Sequence, residues 1–218
     1  NADDVYMNVP EGLKTVSNIN LRVTSEGENI VVGGRVNILE GGYTEEKLTR
    51  NLLARATAPR ALELTKERSR LVENIRFNLR VVTQNPIVID NSLAEAEIAA
   101  DLRLLGNPYE PGLSGRVTLE EGGELRLQER RYVIERGSVT FTSDRRIEPN
   151  LDLLASTSAE GYDIQLQITG QPGDTETIMT SDPPLPEPDI LALLITGKTM
   201  DEIRGQEYEV ARNQVLSY

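Results

Sequence analysis

The carboxylates Asp144, Asp152 and Asp163 are the first side chains whose type and placement could do covalent chemistry. Each falls at a strand end or on the polar side of a strand-like stretch. Paired carboxylates can divide acid and base duties in the cleavage of a sugar polymer. A solvated polar face explains the same pattern more simply, so no catalytic residue is assigned. The chain has no His and no Cys. That removes the Ser-His-Asp arrangement, thiolate nucleophiles, disulfides and the commonest transition-metal ligands. No loop has the Asn/Asp spacing of a helix-loop-helix calcium site. No metal and no cofactor is implied. Gly33, Gly34, Gly41, Gly42, Gly122 and Gly123 lack the strand-loop-helix setting, with a following Lys and Ser/Thr, of a phosphate cradle; they read as turns. Arg130-Arg131 and Arg145-Arg146 read as ordinary surface charge.

Charge narrows the partners. The net charge is -12, from 35 acidic and 23 basic residues. An acidic surface repels phosphate backbones, which argues against nucleic acid. It also argues against adhesion to anionic lipid through a basic patch, but not against binding lipid tails. The longest apolar run, Ile190 to Ile195, is far short of the roughly 20 residues that cross a bilayer. The sequence begins at Asn1, in strand-like residues and without an initiator Met. It reads as a piece of something longer, so the missing span says little about the parent protein.

The elements that would position any site are strands. Ala94, Ala96, Ile98, Ala100, Leu102 and Leu104 alternate with Glu95, Glu97, Asp101 and Arg103. Period two places the two sets on opposite faces of a sheet. The alternation returns at Val117 and Leu119, Leu125 and Leu127, Ile134, Val139 and Phe141, Leu151 and Leu153, and Ile164, Leu166 and Ile168. A closed sandwich usually fills its centre with rings. This chain has two Phe, seven Tyr and no Trp, with 38% hydrophobic residues in all. The apolar face is thus aliphatic, and either a second sheet or a hydrocarbon ligand could cover it.

Gly34-Arg-Val-Asn-Ile-Leu-Glu-Gly-Gly42 returns as Gly115-Arg-Val-Thr-Leu-Glu-Glu-Gly-Gly123, and Asn20-Leu-Arg-Val23 returns as Asn78-Leu-Arg-Val81. The two ordered matches predict a duplicated strand cassette, with extra strands in the second copy between Ile87 and Leu105. Residues 44–73 lack strand alternation and are interrupted by Pro59, which predicts two short helices or an ordered insertion. From Gly123 onward, strands are expected over 124–128, 131–135, 138–142, 150–156, 162–170 and 175–180. Turns are expected at Arg136-Gly137, Glu160-Gly161 and Gly170 to Gly173. The division expected is a β domain over 1–180, a proline-rich linker over 181–188 and a helical segment over 189–218. Asp189 is the expected N-cap and Gly197 the stop of the first helix. Thr199-Met-Asp-Glu202 has the form of a capping box for the second.

Five segments follow one another in order: Gly122-Gly-Glu-Leu-Arg-Leu127, Tyr132-Val-Ile-Glu-Arg-Gly-Ser-Val-Thr-Phe141, Pro149-Asn-Leu-Asp-Leu153, Thr180-Ser-Asp-Pro-Pro-Leu-Pro186 and Asp189-Ile-Leu-Ala-Leu-Leu-Ile-Thr-Gly197. Over roughly residues 18–197 this succession resembles the C-terminal domain of the TamB family, of the translocation and assembly module. The resemblance implies an all-β fold: an elongated, strongly curved, mostly antiparallel sheet forming a U-shaped apolar groove, the β-taco. It implies a non-enzymatic periplasmic segment of a protein anchored in the inner membrane of a diderm bacterium. Such a groove would carry phospholipid acyl chains between membranes, lined by the apolar residues from Ala96 to Ile168 named above. The alternative is a docking or chaperone module for an outer-membrane barrel of the TamA type, assisting outer-membrane protein assembly by strand addition. Pro183, Pro184, Leu185, Ile190, Leu191 and Leu194 would then meet the partner. An exposed apolar face of this size also points to a homodimer of the isolated fragment.

Overall fold

A computed structural model describes residues 1–8, 12–44, 73–127 and 130–204. Twelve strands are present among the described residues: β1 (Ala2–Asn8), β2 (Leu13–Glu26), β3 (Asn29–Tyr43), β4 (Ile75–Thr83), β5 (Ile87–Asp90), β6 (Ala94–Gly106), β7 (Pro111–Leu119), β8 (Glu124–Leu127), β9 (Arg130–Ser143), β10 (Pro149–Ala159), β11 (Tyr162–Gln171) and β12 (Asp174–Asp182). A helix, α1 (Glu187–Thr196), follows them. The fold is all-β, as the alternation requires.

All twelve strands belong to one sheet, ordered β1-β2-β3-β4-β6-β7-β9-β10-β11-β12. The short β5 pairs with β3 and β6, and the short β8 with β6 and β9. Neighbours are antiparallel except where β3 meets β4 and β5, which run parallel to it. A parallel pair needs a crossover that returns the chain to the starting end of the strand. β3 and β4 are joined through residues 44–74, most of which lie outside the described residues. The helices expected within 44–73 lie outside the described residues.

Among the described residues the sheet does not close on itself, since β1 and β12 each have one strand neighbour. Strand breaks are few because the turns carry the residues that turns demand. Glu160 and Gly161, both at positive φ, join β10 to β11, the backbone of a primed hairpin turn. The turn expected at Arg136-Gly137 is instead the interior of β9, which runs unbroken over 14 residues. Its register against β10 shifts between Leu154 and Ala155, a β-bulge that adds one residue to β9. Gly137 is required there for space. A Cβ on it would sit 2.9 Å from the Cβ of Leu119 on the neighbouring strand. The glycine thus signals close approach rather than chain reversal.

The tail also differs in detail. The helix begins at Glu187, with Pro186 as its N-cap and no side-chain capping bond. Pro188 in the first turn costs nothing, because the N–H it lacks would have no helical partner. Asp189 is inside the helix, and its Oδ1 accepts a bond from the N–H of Met200 at 2.9 Å. Gly197 does close the helix, at φ 73° and with its N–H on the carbonyl of Leu193. The second helix starts at Met200 behind the expected capping box. The Thr199 N–H donates to Glu202 Oε2 at 2.8 Å, and the Glu202 N–H donates to Thr199 Oγ1 at 3.4 Å.

Candidate functional site

Register assigns the apolar residues to rows that cross the sheet. Ile98 stands opposite Leu119, then Gly137, Leu153 and Ile168. One step along the strands, Ala100 stands opposite Val117, Val139 and Leu151. A third row runs through Leu102, Gly115 and Phe141, and a fourth pairs Leu104 with Leu113. At the other end of the strands, Ala94 meets Leu125 and Tyr132, and Ile134 meets Ala155 and Leu166. Ala96, Leu127 and Ile164 continue these rows by period two. All seventeen candidate lining residues therefore share one face. The same rows hold residues that the reading of the sequence passed over: Val36, Leu79 and Val81. Their period-two spacing was visible in the Asn-Leu-Arg-Val and Gly-Arg-Val motifs.

The face has two regions. From β4 to β10, Ile98, Ala100, Leu102, Val117, Val139, Leu151 and Leu153 are half-buried. No second sheet lies on them among the described residues, because every described strand is in the one sheet. From β8 to β12 the face is covered by α1. Ile190 and Leu193 are fully buried, and Leu194 is 8% exposed. They pack with Tyr132, Ala155, Ala159 and Ile164, with Leu125, Leu127, Tyr162, Leu166, Met179 and Leu185 around them. Ile134, Ala155 and Ile164 are 0% exposed, so this part of the lining is a dry core. Full burial of a side chain such as Ile190 or Leu193 contributes roughly 1.5–3 kcal/mol.

Arg130 fastens the helix. Its Nη2 donates to the carbonyl of Leu193 at 3.0 Å and its Nε to that of Leu194. The Leu193 carbonyl also accepts the Gly197 N–H, but carbonyls in the last turn of a helix keep spare acceptor capacity and carry partial negative charge. A guanidinium satisfies both conditions, so Arg130 is structural rather than a spare surface charge. Arg131 beside it is exposed. Burial raises the Tyr132 phenol above its ordinary pKa, against a smaller opposing effect of Arg130.

The tail residues offered for docking divide in the same way. Pro183 and Pro184 are exposed, and Leu185 is half-buried. Leu191 is 47% exposed, while Ile190 and Leu194 are turned into the chain's own core. Only Pro183, Pro184 and Leu191 face outward. Period 3.6 could have found this, because Ile190, Leu193 and Leu194 form one helical stripe and Leu191 lies off it.

The carboxylates are not brought together. Asp152 pairs with Arg136 at 3.3 Å, and Asp163 accepts from Ser158 Oγ at 2.7 Å. Asp152 stands opposite Thr169, six residues from Asp163 and so roughly 20 Å away along the strand. Asp144 sits in the loop between β9 and β10.

The family model for the TamB C-terminal domain matches residues 2–217, nearly the whole chain. A protein of Aquifex aeolicus (strain VF5), described as an uncharacterized protein, is 27% identical over 194 residues. The match covers 88% of this chain and 17% of that protein, so the chain spans about a sixth of the relative's length.

Proposed function

The chain belongs to the TamB C-terminal domain family, and from that premise we propose that it is a periplasmic segment that carries lipid acyl chains along its aliphatic face. The family ties the chain to the translocation and assembly module and to transport of lipid or protein. The observation that carries the finer reading is the half-buried aliphatic surface of β4, β6, β7, β9 and β10, on one face of a sheet with no second sheet over it among the described residues. Shielding each methylene from water contributes about 0.8 kcal/mol. Rows of Ala, Val, Leu and Ile offer no directional bond, so an acyl chain is held without being fixed in one register and can move along the face. Phospholipid headgroups would stay in water beyond the rim. In this reading the parent protein is anchored in the inner membrane, and the segment supports outer-membrane biogenesis.

The test is native mass spectrometry with lipid extraction on the purified chain, beside a Leu102→Glu variant. Leu102 lies away from α1 and faces Gly115 across the strand pair. A carboxylate there puts a charge on the lining, which an acyl chain could cover only by desolvating it. Copurified phospholipid that disappears in a folded Leu102→Glu variant is the expected result. Equal lipid in both, or none in the parent chain, would remove the reading. Leu166→Arg is a poorer test, because Leu166 packs against the core under α1.

A second reading rests on the open edge of the sheet. β12 has β11 as its one strand partner, and Ile178 on it is 46% exposed. An unpaired edge can accept a client strand, as docking to an outer-membrane barrel of the TamA type would require. Binding through this edge would be insensitive to Leu102→Glu and lost with a proline at Ile178.

A further inference from the structure

We propose that the polar face of the sheet, opposite the aliphatic one, is a docking surface for the phosphates of anionic lipid headgroups. The net charge of -12 hides a segregated group of arginines. Arg35, Arg80 and Arg103 stand directly opposite one another on β3, β4 and β6. Arg22 on β2 and Arg116 on β7 flank that row on the same face, since Asn20 opposes Arg35 and Asp101 opposes Arg116. Five consecutive hydrogen-bonded strands therefore each present one of these arginines, and β4 adds Arg76 further along the same face. All five are exposed, and three of them line a shallow depression of about 730 Å³ with Asn78, Asp101 and Ser114.

The repeats of the sequence build this face. Each arginine comes from an Asx-Leu-Arg or Gly-Arg-Val unit: Asn20 to Arg22, Asn78 to Arg80, Asp101 to Arg103, Gly34 to Val36 and Gly115 to Val117. In every unit the residue before the arginine lies in an aliphatic row, and the arginine takes the other face. Like charges directly opposite in a sheet are destabilising. The row keeps them with limited internal compensation. Arg80 pairs with Asp101 at 2.6 Å, and Arg103 donates to Asn78 Oδ1 at 2.8 and 3.0 Å. Arg22, Arg35 and Arg116 make no hydrogen bond or ion pair among the described residues. Asp101 is the one carboxylate that lies within the group.

Charge, spacing and shape favour a headgroup array. Strands lie about 4.8 Å apart, so the guanidiniums repeat at a spacing that can engage several phosphates side by side. Guanidinium matches phosphate geometry in a bidentate way. The depression is shallow rather than enclosing, which suits a surface more than a single captured anion. At physiological salt the Debye length is about 8 Å. A membrane touching this face thus responds to the five arginines and Asp101, and to Glu95 and Glu97 further along the same face of β6, and little to acidic residues on the other face.

The test uses flotation of the 218-residue chain with vesicles of phosphatidylcholine, with and without phosphatidylglycerol. Binding that requires phosphatidylglycerol and weakens with salt is expected. Arg35→Gln with Arg116→Gln should lower it roughly thirty-fold, from about 1 kcal/mol per arginine at an anionic surface. Neither residue makes a hydrogen bond or salt bridge among the described residues, and Arg35 acts on Asp101 only through its charge. Asp101→Asn should instead tighten binding several-fold while it removes an ion pair, a sign that a purely structural role does not give. Lipid copurifying in the groove should be unchanged in the double variant, so failure here is separable from failure of the groove reading. Equal vesicle binding by parent and double variant, or none by the parent, overturns the proposal. Glycerol phosphate bound as tightly as the vesicles overturns it too, in favour of a soluble phosphate ester.

Discussion

Two kinds of residue carry strain or charge that can be tested singly. Gly115 has φ 121°, and a Cβ on it would lie 2.1 Å from the carbonyl oxygen of Asp101. Gly34 repeats this geometry, with φ 136° and 2.0 Å to the carbonyl oxygen of Asn20. Gly122 also has positive φ, 87°, but faces open space. Gly115→Ala should therefore destabilise well beyond the 1–2 kcal/mol or so of the left-handed backbone alone, and Gly122→Ala by about that amount, read from denaturant midpoints. Tyr132 gives a pH dependence. Burial raises its folded pKa above the unfolded value of about 10, so the folded state favours the neutral phenol. Its contribution is complete below about pH 10 and is lost as pH rises through the folded pKa. Unfolding should become easier above pH 10 in the parent chain and less so in Tyr132→Phe, as thermal melts across that range would show.

At the scale of elements, α1 is the piece whose docking determines how much of the aliphatic face is open. It is held by one stripe of apolar residues and by Arg130. Arg130→Ala leaves the carbonyls of Leu193 and Leu194 without that donor and should cost about 1–3 kcal/mol. Hydrogen exchange over 187–196 should rise by roughly ten-fold or more, while exchange in β6 and β7 stays as it was. Leu193→Ala, which empties a fully buried site, should cost about 2–5 kcal/mol. A parent-like exchange rate in Arg130→Ala would mean that the apolar stripe alone holds the helix.

At the scale of the molecule, the twelve strands make an open sheet with unlike faces. One is aliphatic and covered in part by α1; the other carries charge pairs and the arginine row. An open face can gain stability from a bound ligand in a way that a sandwich core cannot. Chain stripped of lipid should melt lower than chain with added lysophospholipid. The difference should approach about 2.7 kcal/mol at a hundred times the dissociation constant. Leu102→Glu should abolish that difference, and a ligand-independent melting temperature in the parent chain would count against an acyl-binding face.

Much of this was legible in the residues themselves. Period-two alternation is a local property, so the all-β class, the strand order in sequence and the membership of Ala96 to Ile168 in one face followed from the chain alone. So did the Gly197 stop and the Thr199–Glu202 capping box, which involve residues within one turn of each other. What lay beyond reach depends on contacts between residues far apart. The reason Gly137 is a glycine lies on Leu119, a strand away. Arg130 has its role from carbonyls 63 and 64 residues further along. Ile190 and Leu194 could face a partner or a core, and only the packing of α1 on β8 to β12 decides for the core. The arginines of the repeats are scattered in sequence within an acidic chain. Strand register alone brings them side by side, because it sums charge across five strands rather than along one.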